Sequence, residues 1–148
     1  MPQAAISAMM SLEKHLTRCS LETSLLELVR LRASQLNECS YCIDMHHKDA
    51  RAAGESEQRL YGLSAWRETP YYDARERAAL EWTEAVTLLG SAQIDDAAYA
   101  RIQTVFSETE LADLTFAVIA INGWNRLNVA MQNPAGSYQV GMHDTPAD

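Results

Sequence analysis

The sequence predicts an all-α bundle of about six or seven helices, and three observations predict it. No run of alternating β-branched residues is long enough for a strand. Apolar residues recur at spacings of three and four along most of the chain. Residues that start and stop helices fall at the ends of those periodic stretches. From Ser20 onward, Leu25, Leu28, Val29 and Leu36 keep helical spacing, with Glu22, Arg30 and Arg32 elsewhere around the wheel. The next helix begins near Ser40 and stops at Gly54, a residue type that readily takes the left-handed conformation at a helix end. This places the closely spaced cysteines, Cys39 and Cys42, at the start of the third helix. A short helix follows Ser56. Asp73 with Glu76 three residues on has the form of a capping box, and Ala78, Trp82, Ala85, Val86 and Leu89 make the expected buried stripe before Gly90. Asp95 or Asp96 caps a helix carrying Tyr99, Ile102 and Phe106. Ser107 and Glu110 repeat the capping-box pattern and open a long helix to about Met131. Its Leu114, Phe116, Val118, Ile119 and Ile121 point in several directions, which predicts a helix either central to the bundle or shared with another subunit. The tail from Asn133, with Pro134, Gly136, Gly141 and Pro146, reads as irregular.

The chain has 148 residues, 47% apolar by type and 22% charged, which fits one domain over 1–148. Folding a chain of this size hides roughly 65–70% of its extended surface, so no metal or disulfide staple is needed for stability. Twelve basic residues against 20 acidic ones give a net charge of −8, which repels phosphate backbones and anionic lipid surfaces and excludes nucleic acid as an expected partner. The most apolar window, Leu111 to Ile121, contains Asp113 and falls well short of the ~20 residues a membrane span requires. Met1 to His15 has no basic region ahead of an apolar stretch, so no signal peptide is read there and a cytoplasmic location is expected. Three cysteines, with Cys19 standing alone, argue against a disulfide framework of the secreted type.

The chemistry lies in Glu27-x11-Cys39-x2-Cys42-x3-His46. If the helix begins at Ser40, Cys39 and Cys42 sit one turn apart at its start, with His46 one turn beyond Cys42 on the same face. Two thiols at that spacing can close a disulfide, and a helix N-terminus stabilises a thiolate. His46 offers a base for the thiol proton. Which sulfur attacks is open on spacing alone: the thioredoxin pattern favours the first cysteine, whereas proximity to His46 favours Cys42, with Cys39 then resolving a sulfenic acid. Glu27, in a Leu and Val context, is expected to have its pKa raised by burial toward a range useful for passing protons. The same residues read as a zinc site have only Glu27 as a fourth ligand and no second Cys or His pair, so a dithiol is the preferred reading and no metal or cofactor is expected. His47 is expected to be structural or solvent-facing, Cys19 a small buried hydrophobe, and Trp66, Tyr71, Tyr72, Trp82 and Trp124 packing or interface residues. His15 and His143 carry no motif.

Over about Leu25 to Gly54 the pattern resembles the core of the AhpD-like alkylhydroperoxidases of the carboxymuconolactone decarboxylase superfamily. The resemblance implies a peroxidatic Cys42, a resolving Cys39 and a Glu27/His46 proton relay. It also implies an oligomer, hexamer or trimer, and a lipoyl- or thioredoxin-type dithiol donor or a peroxiredoxin partner. One position departs: Tyr41 stands where the best-studied type has a further histidine between the cysteines. A phenol titrates near pH 10, so Tyr41 can donate or orient a hydrogen bond but is a poor proton acceptor at neutral pH, and weaker peroxidase activity or another oxidant is expected. The leading expectation is therefore hydroperoxide reduction by a dithiol cycle. The alternatives are decarboxylase or lactone-processing activity like that of the superfamily's namesake, and a non-catalytic redox sensor.

Overall fold

A computed structural model describes residues 2–91 and 94–143. Among these residues there are seven α-helices and no strand: α1 (Gln3–Leu16), α2 (Thr23–Leu36), α3 (Ser40–Ala52), α4 (Glu57–Gly62), α5 (Ala74–Thr87), α6 (Asp96–Gln103) and α7 (Glu108–Ala130), with a 3-10 segment Leu63–Glu68 after α4. The starts expected near Ser40, after Ser56, and at Asp73, Asp95 or Asp96 and Ser107 are the observed ones, because cap chemistry is local, whereas α2 begins at Thr23 rather than Ser20, with no side-chain cap bond from Glu22, and α1 carries no cap signal in the sequence. The Asp73 and Ser107 side chains accept from the backbone N–H of Glu76 and Glu110, whose carboxylates reach back to the cap N–H in return. Asp95, rather than Asp96, caps α6 by accepting from Ala98 N–H. Gly54 adopts φ +97° just past α3, the left-handed value foreseen for it. None of the helices is long and apolar enough to cross a membrane.

Two helices are central: α2, and α7 as expected, which packs against α1, α2, α3, α5 and α6. Leu25, Leu26, Glu27, Leu28, Val29, Leu31, Ala33 and Ser34 are all buried, because α2 packs against α3, α5 and α7 at once. On α7 the inward Leu114, Ala117, Val118 and Ile121 are buried, whereas Phe116 and Ile119 are about half exposed, at 47% and 50%. The apolar breadth read from the sequence is thus a buried face plus an outward pair. The stripe expected on α5 is also rotated. Ala79, Leu80, Trp82 and Thr83 are its buried residues, Ala78, Ala85 and Val86 are half-buried, and Leu89 lies beyond the helix end at 63% exposure. The cause is geometric: α5 ends at Thr87, and its Ala78 and Ala85 line an open cleft of about 560 Å³ between α5 and α6 rather than a packed neighbour.

Polar groups inside the bundle are matched. Asn125 on α7 donates to Ser34 Oγ on α2 at 3.0 Å and accepts from Asn37 Nδ2 at 2.9 Å, while Ser34 Oγ donates to the Arg30 carbonyl at 2.8 Å. Among the described residues every buried side-chain nitrogen or oxygen has a partner, so the core carries no desolvation penalty of that kind.

Candidate active site

The α2–α3 junction builds the site. Past α2, Glu38 takes a left-handed φ of +53°, and the N–H groups of Glu38 and Cys39 return to the carbonyls of Gln35 at 3.2 Å and Ser34 at 3.0 Å. This is a Schellman stop made without glycine, and it strains the backbone by roughly 1 kcal/mol. It delivers Cys39 directly to the N-cap of α3, where its sulfur lies 3.4 Å from Cys42 N–H. Cys39 and Cys42 are joined as a disulfide with Cα atoms 5.3 Å apart. Turning α3 back against α2 then brings His46 onto Glu27.

Glu27 and His46 do converge: His46 Nδ1 lies 2.9 Å from Glu27 Oε2, with the two residues only 8% and 7% exposed. The other carboxylate oxygen accepts from Arg30 at 2.8 Å, and Arg30 reaches on to Glu13 of α1 at 2.9 Å. Trp124 of α7 donates its indole N–H to the free oxygen of Glu13 at 3.0 Å. Four helices, α1, α2, α3 and α7, thus contribute to the network around one carboxylate. Its titration differs from the expectation drawn from its neighbours in sequence. Burial pushes the Glu27 carboxyl up, but the hydrogen bond and charge of His46, together with those of Arg30, outweigh it and hold Glu27 below the ordinary carboxylate range. Glu27 is therefore ionised at neutral pH and acts as an acceptor only. The Nδ1 of His46 must then carry its proton, which leaves Nε2 as the basic nitrogen when the ring is neutral.

Around the sulfurs, Cys39 and Cys42 are 1% and 0% exposed and pack with Ala33 and Ile121, with the half-buried Tyr41 and Trp124 against them. Asn128 of α7 points its amide at Cys42 Sγ, 3.6 Å away, a weak contact aimed where charge on that sulfur would develop. The Tyr41 hydroxyl is not joined to the Glu27–His46 pair. It bonds to His143 Nε2 at 2.8 Å on the exposed side of α3. Burial and the Asp44 charge raise its pKa against the opposing effect of Lys48, so it stays a phenol. Among the remaining residues weighed from sequence, His47 is half-buried and stacked on Tyr61, and Cys19 packs half-buried against the main core. His15, without a motif, meets the buried Asp113 at 2.7 Å.

Sequence reasoning passed over Arg30, Asn128 and Asp49. Arg30 and Asp49 each had a local signal, a three-residue spacing from Glu27 and from His46 on one helix, whereas Asn128 had none. Asp49 brings a carboxylate oxygen to within 4.8 Å of a His46 ring nitrogen and a Glu27 oxygen, a grouping with the donor types of a metal site. The Arg30 guanidinium bound to Glu27 sets a fixed positive charge against any cation there. A small cleft of about 160 Å³, lined by Ser24, Glu27, Ala50, Ala53, Gly54 and Glu55, opens beside Glu27, while the larger α5–α6 cleft contains none of the five candidate residues.

A seven-helix bundle with a Cys-x-x-Cys at a helix start and a buried carboxylate–imidazole pair beside it has the features of the AhpD-like class of helical proteins. The chain belongs to the carboxymuconolactone decarboxylase family, which matches residues 3–85. It is 43% identical to the uncharacterized protein YdfG of Bacillus subtilis (strain 168), over 87% of this chain and 88% of that one. Among solved structures it is similar to a protein of unknown function from Agrobacterium tumefaciens, described as a candidate antioxidant defence protein AhpD, with 38% identity, a TM-score of 0.88 and coverage of 93% of this chain and 94% of that one. The debrominase Bmp8 shares the fold at a TM-score of 0.79, with 20% identity over 88% of this chain and 70% of that one.

Proposed function

We propose that this protein is a thiol-dependent alkylhydroperoxidase, and the observation that carries the reading is the buried 2.9 Å bond between Glu27 and His46 one helical turn from Cys42. In the reduced protein the Cys42 thiol gives its proton to His46 Nε2, and the helix N-terminus and the Asn128 amide favour the thiolate. The thiolate sulfur attacks the distal peroxide oxygen. The O–O bond breaks, Cys42 becomes a sulfenic acid, and the departing alkoxide takes the proton from His46 and leaves as an alcohol. The Cys39 thiol then displaces water from the sulfenic acid and closes the disulfide. An external dithiol of the lipoyl or thioredoxin type reduces it and is itself oxidised to a disulfide, and a peroxiredoxin is the alternative partner. Glu27 keeps Nδ1 protonated and stabilises the imidazolium between the two transfers. Both sulfurs are covered in the oxidised chain, with Tyr41 and Trp124 packed half-buried against their cluster, so the donor reaches the disulfide through a local opening.

The name carried by the Agrobacterium protein supports the antioxidant reading. The outward Phe116 and Ile119 pair fits the homo-oligomer, trimer or hexamer, that we propose for this chain. Burial of the sulfurs favours one second reading, a sensor that is oxidised once rather than turning over. The test is consumption of cumene hydroperoxide with dihydrolipoamide as donor. The enzyme reading expects many turnovers, abolished by Cys42→Ser. Stoichiometric oxidation without turnover selects the sensor, and activity equal to the parent in Cys42→Ser refutes the assignment.

A further inference from the structure

The irregular segment after α7 is tied to the end of α7 and then along α3 by a series of polar contacts. Asn133 donates to Asn128 Oδ1 at 2.6 Å, Gly136 N–H to Asp44 at 3.1 Å, and Lys48 donates to the Tyr138 carbonyl at 3.0 Å. The effect is to bury Tyr138, 4% exposed, and to aim its hydroxyl at Asp49 Oδ1, 2.7 Å away. Asp49 is one turn beyond His46, and its carboxylate is the one that approaches the Glu27–His46 pair to within 4.8 Å. A tyrosine from the far end of the chain is thus spent on orienting a carboxylate beside the relay histidine.

We propose that Asp49, oriented by Tyr138, is a positioning residue that acts through His46, stabilising the imidazolium formed when His46 takes the Cys42 proton. This rests on the dithiol reading above. Glu27 is bonded to Arg30 as well as to His46, and Asp49 brings a second carboxylate to the same ring. Its direct effect on the Cys42 sulfur opposes this, but the two residues are two helical turns, about 10 Å, apart, so the nearer attraction to His46 outweighs the farther repulsion. Among the described residues, the other charged or titratable groups near the ring include Glu27 and Arg30 from α2, Glu13 from α1 beyond Arg30, Tyr138 from the C-terminal segment, and Glu55 lining the small cleft beside Glu27. Asp44, His47 and Lys48 lie on α3 itself, His143 meets Tyr41 on the C-terminal segment, and α7 presents the neutral Asn128. A divalent cation among Glu27, His46 and Asp49 is the competing role for the same atoms, disfavoured by the Arg30 guanidinium.

The experiment is the rate of iodoacetamide trapping of Cys42 against pH in the reduced full-length protein, followed by the mass of the Cys42 peptide. Asp49→Asn removes the charge but keeps an oxygen for Tyr138. It is expected to raise the midpoint by about half to one unit and slow trapping at pH 7 about three- to tenfold. Tyr138→Phe is expected to move the midpoint the same way by less, and Asp49→Glu to restore it. An unchanged midpoint, or slowing by one factor at every pH, overturns the proposal. So does stoichiometric Zn²⁺ uptake by the parent that Asp49→Asn abolishes. Should Asp49→Asn not fold, Tyr138→Phe decides, and no shift there overturns it. No peroxide enters this assay, so a protein that shows the shift yet never turns over peroxide sinks the proposed enzyme activity and leaves the assignment of Asp49 standing.

Discussion

Replacing Glu27 by glutamine removes one charge and almost no volume, and the structure allows its cost to be worked out. The Arg30 and Glu27 side chains are only 12% and 10% exposed, so water cannot replace the lost partner. Breaking a buried ion pair by removing one member costs about 3–5 kcal/mol. Arg30 keeps Glu13 at 2.9 Å, and the glutamine oxygen still accepts from it, so about 2–3 kcal/mol is expected here. For a domain of this size that lowers Tm by about 4–12 °C. The pH dependence has a definite sign. Glu27 is held below its ordinary value of 4.5 in the folded state, so its contribution is fully present above that value and is lost as pH falls through the lower folded pKa. Thermal unfolding followed by circular dichroism at neutral and acid pH checks this: the gap between parent and Glu27→Gln should be full at neutral pH and shrink toward acid. No gap at neutral pH, or one that widens on acidification, refutes the network reasoning. Cys42 trapping at pH 7 should also slow about tenfold or more, since the variant no longer supports the imidazolium.

Tyr41→Phe removes the hydroxyl bonded to His143 and nothing joined to Glu27 or His46; the rate of Cys42 oxidation measured by stopped flow should stay within about twofold of the parent, whereas a hundredfold loss would return Tyr41 to the relay. Glu38→Gly relieves the left-handed strain of roughly 1 kcal/mol at the α2 stop, and after the added freedom of the unfolded chain a net gain of about 0–0.6 kcal/mol is expected in urea unfolding; a loss of about 1 kcal/mol would mean that the turn is not strained. The double substitution of Phe116 and Ile119 by serine should convert an oligomeric parent to monomer in light scattering, and a parent already monomeric removes the proposed assembly.

Legibility followed the range of the interactions. The cap at Asp73, the cap at Ser107 and the stop at Gly54 each involve a few neighbouring residues, and the sequence displays all of them. The Cys39, Cys42 and His46 spacing belongs to the same kind, since one helical turn separates each from the next. The meeting of Glu27 with His46 was readable only because both motif halves were present. The sign of the Glu27 shift was not. It depends on Arg30, itself held by Glu13 from α1, with Trp124 from α7 fixing Glu13, and no local pattern announces that convergence. Tyr138 with Asp49 and His143 with Tyr41 lie 89 and 102 residues apart, so they become visible only when the C-terminal segment lies along α3. The buried stripe on α5 was misplaced for a related reason: which face a helix hides is set by its neighbours, and the cleft beside α6 leaves the alanine edge uncovered.

The most direct test of the central claim is intact-mass and peptide mass spectrometry after one equivalent of hydroperoxide is added to the reduced protein and to its Cys39→Ser variant. The account predicts a Cys39–Cys42 disulfide in the parent and, in the variant, a sulfenic acid on Cys42 that dimedone captures. A dimedone adduct on Cys19, or two cysteines left reduced beside unspent peroxide, would contradict it.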